Sequence, residues 1–423
     1  MILRYSGCTD VHCTPMYIAH LDADCFYVSC ERIRYAGLRE KPVGVLGNQG
    51  ACVIAKSYEL RAHGVKTGEA IWDAQKRCPH AIYVKRDFHW YEEISRRILA
   101  LLRTVSEAVE YYSVDEFFFD ASYLPRAFNT DMAGAALALQ ARILVEIGVP
   151  VSVGVARTKA LAKLASESTK PFGSTVALSD DERMALLIDR PVDAITGIAK
   201  KSSEKLGREG ITTCEQYTMA DRKTIRRILT KKGEDLWWEL NGTPISPLLT
   251  QRPHHKNIAR GGSLGGGTDD LVKRRAWVAR NTERLMEALD ANEIYCERLA
   301  LYLGFKEGHG TFGRAELMEP SAQMEELLPV GYDLLDEAWS RRKGKVNYMH
   351  VFAEVLQFRT CYQPSLFSRH DPSKLDTASI LRLVNAKSGR FALRSGATLP
   401  LKETYDDKAQ SYDICDIQGK ICF

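Results

Sequence analysis

Three carboxylates stand where apolar side chains would be expected. Asp22 closes an apolar run in HLDADCFYVSCE, and Asp115 with Glu116 interrupts a second run in YYSVDEFFFD. An ionised carboxylate among Val, Phe and Leu is costly unless something pairs it. Hard divalent cations supply that pairing, since Mg²⁺ takes oxygen ligands and is commonly held by one or two carboxylates plus substrate phosphates. Two such ions about 4 Å apart clamp the attacking and leaving oxygens of an in-line phosphoryl displacement, a task that three carboxylates suit. Taken singly, each acid would equally suit an exposed strand end. By alternation Asp24 shares a face with Asp22 and is a further candidate. Neighbours on a strand point to opposite faces, so Asp115 and Glu116 reach one metal pair only if the chain turns or bulges there. A turn is expected.

The elements that must position these acids follow from hydrophobic period. Residues 17–21 and 109–119 read as strands carrying the acids. Between them, 43–46 and 51–55 read as short strands around a turn at 47–50, followed by a helix through Tyr58 and Arg61. Tyr58 and Arg61 are three apart, so they share a helix face, and a phenol with a guanidinium suits phosphate oxygens. On spacing alone, Arg61 reads equally as an ordinary solvated cation. A helix over 133–147, a strand over 151–155 and a Lys-bearing helix over 159–168 complete an α/β unit, with Lys170 just before Pro171. Residues 190–232 carry 11 Lys or Arg against 5 Asp or Glu, which favours a polyanionic partner or a solvated basic face. Residues 257–358 read as βαββαβ, a separate small domain. The remaining tail is polar and weakly periodic, and reads as linker plus recognition segment.

The 423 residues, 45% hydrophobic and 26% charged, exceed the size of a single growing core, so several domains are expected. A net charge of +4 permits a nucleic-acid partner without requiring one. The 11 cysteines include no CxxC pair and no His cluster at zinc spacing, so neither a disulfide framework nor a structural zinc is expected, and most should be small buried hydrophobes. Cys8, His12, Cys13 and His20 match no zinc pattern either. No run of 18 apolar residues and no signal-peptide core occurs, which points to a reducing cytoplasm and no membrane. Residues 1–15 precede a second methionine, Met16, and read as an N-terminal extension.

The strings HLDADCFYVSCER, CVIAKSYELRAHGVKTG, YYSVDEFFFD and VGVARTKALAKLASESTKPFG, in this order and at these separations, resemble the motifs of the Y-family DNA polymerases. Within that family the chain looks most like the UmuC type, the catalytic subunit of bacterial DNA polymerase V. The resemblance spans 17–245 well and fits more loosely beyond. It implies an α/β (α+β) right-hand fold: palm at 16–28 and 89–175, small fingers at 29–88, a helical thumb with a helix-hairpin-helix at 176–248, a βαββαβ little finger at 249–360, and a tail at 361–423. The implied activity is template-directed, error-prone translesion synthesis in the SOS response, by two-metal-ion nucleotidyl transfer. Runner-up readings are a catalytically inactive Y-family-like accessory protein in a mutasome and a different palm-domain enzyme, such as a nucleotide cyclase.

By the same resemblance, Asp22, Asp115 and Glu116 would ligate two Mg²⁺ ions, with Mn²⁺ an acceptable substitute. The main-chain carbonyl of Ala23 would contribute, and Asp24 would be structural. Tyr58, Arg61 and Lys170 would hold the incoming dNTP triphosphate, and Tyr27 would lie under its sugar and exclude a 2′-hydroxyl. Phe26 reads as core. Gly197, Ala199, Lys200 and Lys201 would hold the primer-template DNA backbone at the hairpin, where Ala199 replaces a usual glycine. GGSLGGG at 261–267 replaces an arginine-bearing strand entry. Gln363, Leu366 and Phe367 in QPSLF match a sliding-clamp peptide, and the rest of the tail resembles that of the UmuC type. A UmuD-type subunit and a RecA-type filament are the further implied partners.

Overall fold

The computed structural model describes residues 16–47, 52–251, 255–363, 377–388 and 392–404. The chain divides between Arg252 and Pro253 into two compact units.

The first unit is organised by β1 (Ile18–Ala23), which is buried along its whole length. After it come α1 (Phe26–Arg34) and a small insertion made of β2 (Val43–Leu46), β3 (Val53–Lys56), α2 (Tyr58–Ala62), α3 (Ile71–Arg77) and β4 (Ile82–Lys85). Then follow α4 (Phe88–Leu102), β5 (Val109–Tyr111), β6 (Glu116–Asp120), α5 (Leu124–Phe128), α6 (Met132–Ile147), β7 (Val151–Ala156), α7 (Lys159–Ser168) and β8 (Ser174–Ala177). The strands form a five-stranded sheet in the order β5-β6-β1-β7-β8 and a three-stranded sheet in the order β3-β2-β4.

Strand alternation sorts the large sheet into two faces. Ala19, Leu21 and Ala23 join Phe117, Phe119 and the valines of β7 in one core with α4 and α6. Ile18, Phe118 and Ala156 join Leu161, Leu164 and Ala165 of α7 in another. His20 and Asp22 alternate with the first set and therefore lie on the α7 face. Gly154 lets α7 approach that face: a Cβ there would sit 2.2 Å from backbone atoms of Ala162 and Ser166. The single run expected over 109–119 is two strands. The main-chain N–H groups of Tyr112 and Ser113 both donate to the Glu116 carbonyl, at 3.1 and 3.0 Å, which closes the expected turn between β5 and β6.

Among the described residues, α8 (Asp180–Leu187), α9 (Lys200–Gly207), α10 (Cys214–Met219) and α11 (Arg222–Leu240) follow in this unit. Of the seven described cysteines, Cys30, Cys78, Cys214 and Cys296 are buried, as small hydrophobes are. Among the described residues, no helix is long and apolar enough to cross a membrane.

The second unit has the expected βαββαβ order: β9 (Asn257–Thr268), α12 (Leu271–Ala291), β10 (Ile294–Phe305), β11 (Thr311–Ser321), α13 (Met324–Arg341) and β12 (Val346–Phe358). Its sheet is antiparallel in the order β11-β10-β12-β9. The glycines at 261–267 make a wide bulge, since Ser263 pairs with Tyr348 while Thr268 pairs with Val346. The tail departs from the linker expected. Part of it forms α14 (Thr377–Ser388) and a 3-10 segment, Gly396–Thr404, both packed on α12. Arg382 Nε lies 2.8 Å from Asp290 Oδ2, and the Ser395 N–H donates to Glu283 Oε1 at 2.9 Å. Asp290 and Glu283 are buried, so the tail supplies partners that these acids of α12 need.

Candidate active site

Register brings two of the three acids together. On β1, Asp22 pairs with Glu116 of β6 and with Ser152 of β7, so the side chains of Asp22 and Glu116 are cross-strand neighbours on the face α7 covers. Asp115 belongs to the turn before β6, where its carbonyl accepts the Ala23 N–H at 2.9 Å and its carboxylate accepts the Ser113 hydroxyl. The pair thus escapes the alternation that a regular strand would impose. Ala23 closes β1 immediately beside it.

The cluster is compensated by two ammonium groups. Lys170 Nζ lies 2.6 Å from Asp22 Oδ2, and Lys163 Nζ donates to Glu116 Oε1. Burial pushes the Asp22 carboxyl up from 3.8 to about 7, Lys170 pulls against it, and Glu116 adds to the rise. Behind the acids sits His20, fully buried, with Nδ1 2.6 Å from Ser166 Oγ and Nε2 3.9 Å from Glu116 Oε1. Burial and the charges of Lys163, Lys170 and Lys159 hold its pKa well below the usual value, so the ring is neutral. His20 therefore belongs to this wall; Cys8, Cys13 and His12 lie outside the described residues.

Asp24, which alternation offered as a ligand, is held elsewhere. Its carboxylate accepts from Tyr58 Oη at 3.3 Å, from Ser152 Oγ at 3.1 Å and from the Phe172 N–H at 2.8 Å. Three donors saturate it in a buried setting, so it ties together the end of β1, β7, the loop after Lys170 and α2. Tyr58 and Arg61 do share a face, with the Arg61 guanidinium 4.8 Å from the Tyr58 ring centroid. Ser57 caps that short helix by accepting the Leu60 N–H. Tyr27, on α1, stacks on Tyr91 with centroids 4.5 Å apart and is half-buried, while Phe26 is core.

The remaining expected residues stand apart. Gly197 has φ 102, a left-handed conformation open to glycine, and precedes α9, whose N-cap Ala199 offers no side-chain bond. Lys200 and Lys201 are exposed on its first turn. Among the described residues, no hydrogen bond or ion pair links these four to the carboxylates. Gln363 is exposed; Leu366 and Phe367 lie outside the described residues. Sequence reasoning missed Lys163, Ser152 and His20. Lys163 alone gave a signal, four residues after Lys159 on the inward face of α7.

Two carboxylates side by side, a third in the adjoining turn and ammonium groups as counter-ions fit divalent metal ions as a donor set. Residues 21–167 match the model of the impB/mucB/samB family, and 255–366 match that family's C-terminal domain. Protein ImpB of Salmonella typhimurium is 30% identical over 369 residues, covering 84% of this chain and 86% of the relative. The chain belongs to the Y family of translesion DNA polymerases. This Y-family polymerase also matches DNA polymerase IV 1 of Bacillus subtilis (strain 168), at 29% identity over 92% of the chain and 94% of the relative. A solved Y-family DNA polymerase chimera shares its fold, with a TM-score of 0.69 and 23% identity over 81% of this chain and 100% of that one. The polymerase is thus a DNA-directed DNA polymerase acting on primer-template DNA and dNTP. It has the palm and finger-type architecture of a family that uses divalent metal ions.

The two neighbouring aspartates should behave oppositely in urea unfolding without divalent cations. Asp24→Ala strands the Ser152 hydroxyl and the Phe172 N–H and should cost about 3 kcal/mol. Asp22→Asn removes a buried like charge beside Glu116 and should leave the midpoint unchanged or raised. A larger loss for Asp22→Asn than for Asp24→Ala would show that the acids are not held against repulsion.

Proposed function

We propose that the chain carries out error-prone translesion synthesis by two-metal-ion nucleotidyl transfer, with Asp22, Asp115, Glu116 and the Ala23 carbonyl as ligands. The observation that carries this reading is the cross-strand pair of buried Asp22 and half-buried Glu116, with a lysine on each member. Mg²⁺ is the ion proposed, with Mn²⁺ as a substitute. When bound, the two ions supply the electrostatic clamp on the reacting phosphoryl oxygens.

The chain's own residues do the rest. Lys170 is half-buried; released from Asp22, it is free to meet a triphosphate. Tyr58 and Arg61 already share one face and add a hydroxyl and a guanidinium for phosphate oxygens. Tyr27, braced against Tyr91, presents a fixed ring to the nucleotide sugar. Lys163 stays on Glu116 and limits repulsion within the cluster. In this reading 16–28 and 89–175 are palm, 29–88 fingers, 176–248 thumb, 249–360 little finger and 361–423 tail. The helix-hairpin-helix around Gly197, Ala199, Lys200 and Lys201 grips the DNA backbone. A cytoplasmic SOS role with a UmuD-type subunit and a RecA-type filament rests on the likeness to the UmuC type. Extension of a damaged template by the chain alone, at the same rate as with both partners, contradicts that part.

Single-nucleotide primer extension tests the chemistry. Asp115→Ala and Glu116→Ala should each slow incorporation by at least ~100-fold, as loss of transition-state charge stabilisation does, with DNA affinity close to that of the parent. Near-normal extension by either variant removes the two-metal assignment.

The same assay with ribonucleotides tests the sugar contact. Tyr27→Ala leaves room for a 2′-hydroxyl, so ribonucleotides should be incorporated readily; unchanged discrimination assigns the exclusion to another residue.

For QPSLF, the proposed partner is the sliding clamp, with Leu366 and Phe367 as apolar anchors and Gln363 at the rim. Truncating an anchor costs about 2 kcal/mol or more. The double variant Leu366→Ala/Phe367→Ala should lose clamp stimulation on a long primed template and keep distributive incorporation on a short one. Unaltered affinity of that variant for isolated clamp would make the match accidental.

A further inference from the structure

The insertion that carries Tyr58 and Arg61 also gathers three soft or borderline ligands far from the carboxylates in sequence. His63 caps the C-terminus of α2, Cys78 caps the C-terminus of α3, and His80 follows two residues later. One ligand atom from each lies within 4.8 Å of the other two. The spacing, His-x14-Cys-x-His, matches no common zinc signature, which is why neither the cysteine count nor the histidine positions disclosed it. The meeting arises because α2 and α3 end beside one another.

We propose that His63, Cys78 and His80 form a binding site for Zn²⁺ or a similar borderline divalent cation. The donor set is one thiol and two imidazoles, a combination suited to Zn²⁺ and poorly suited to Mg²⁺. Distances support it. Cys78 Sγ is 3.6 Å from His80 Nε2, and a tetrahedral ion with Zn–S of about 2.3 Å and Zn–N of about 2.05 Å separates those atoms by about 3.6 Å. The His63 and His80 rings meet edge to face with centroids 5.3 Å apart; both are exposed, so side-chain rotation closes the remaining gap. Cys78 is buried in the insertion's own core, which supplies a fixed anchor, and the fourth position is open to water. Binding exchanges the thiol proton of Cys78 for the cation and releases one H⁺. Burial raises the Cys78 pKa, so affinity should fall as pH is lowered.

The site has a physical purpose. Among the described residues, the insertion's core contains eight buried side chains, and small cores gain from a metal cross-link. A cation at this point joins the end of α2 to the loop between α3 and β4.

The test uses the full chain freed of metal by chelation and titrated with Co²⁺, followed by displacement with Zn²⁺. A thiolate-to-cobalt charge-transfer band should saturate at one ion per chain; the carboxylate cluster cannot produce it. Cys78→Ser should abolish the band, and Cys25→Ser should not. His63→Ala and His80→Ala, at exposed positions that do not threaten folding, should each weaken binding beyond the ~10-fold that loss of an outer-shell partner costs. No band, a band that survives Cys78→Ser or vanishes in Cys25→Ser, or unchanged affinity in both histidine variants overturns the proposal.

Discussion

Asp22 and Glu116 face each other across β1 and β6, and two ionised carboxylates at cross-strand distance repel. At about 5 Å and an effective dielectric of about 20, the repulsion is about 3 kcal/mol, a large fraction of a domain's net stability. The sheet must hold them there regardless. It does so with β1 at its centre, hydrogen-bonded on both sides, and with cores on both faces. Gly154 admits α7 closely enough for Lys163 to reach Glu116, and the loop after α7 brings Lys170 to Asp22. The ammonium groups offset the repulsion without removing it, and a site in that condition favours the arrival of hard cations.

Much of this arrangement was legible in the sequence, for identifiable reasons. Acids inside apolar runs announce a cost, and the strand period shows that Asp115 and Glu116 cannot share a regular strand, so the turn between β5 and β6 could be expected before it was seen. The same period misdirected Asp24 toward the metal ligands. Alternation assumes that the strand continues, whereas β1 ends at Ala23 and three donors capture the next carboxylate. Lys163 was passed over despite its spacing from Lys159, because a lysine on an amphipathic helix reads as solvated. Its burial depends on how closely α7 lies on the sheet, which rests on Gly154, a residue 132 positions from Asp22 and 38 from Glu116, and the pattern of α7 itself does not disclose it.

The second unit repeats the lesson with packing. Its βαββαβ order follows from long, regular elements. α12, however, also buries the acids Glu283 and Asp290, and nothing within that helix names what covers them. The covering elements are α14 and the 3-10 segment, short and polar enough to pass for linker, and their role appears only when Arg382 and the Ser395 N–H meet Asp290 and Glu283. Likewise His63, Cys78 and His80 meet through the ends of two helices rather than through a spaced motif. Long-range partnership, more than element type, separates the sequence from the structure here.

The central claim is that hard cations held by this acidic cluster act on the transferring phosphoryl group. A dNTP with sulfur in place of a non-bridging α-phosphate oxygen tests it most directly, because sulfur is a poor ligand for Mg²⁺ and a better one for softer Mn²⁺. Single-turnover incorporation of the metal-facing stereoisomer should be slow in Mg²⁺, relative to the oxygen nucleotide, and recover in Mn²⁺. An equal ratio in both metals would contradict the account and move the cations away from the reacting phosphorus.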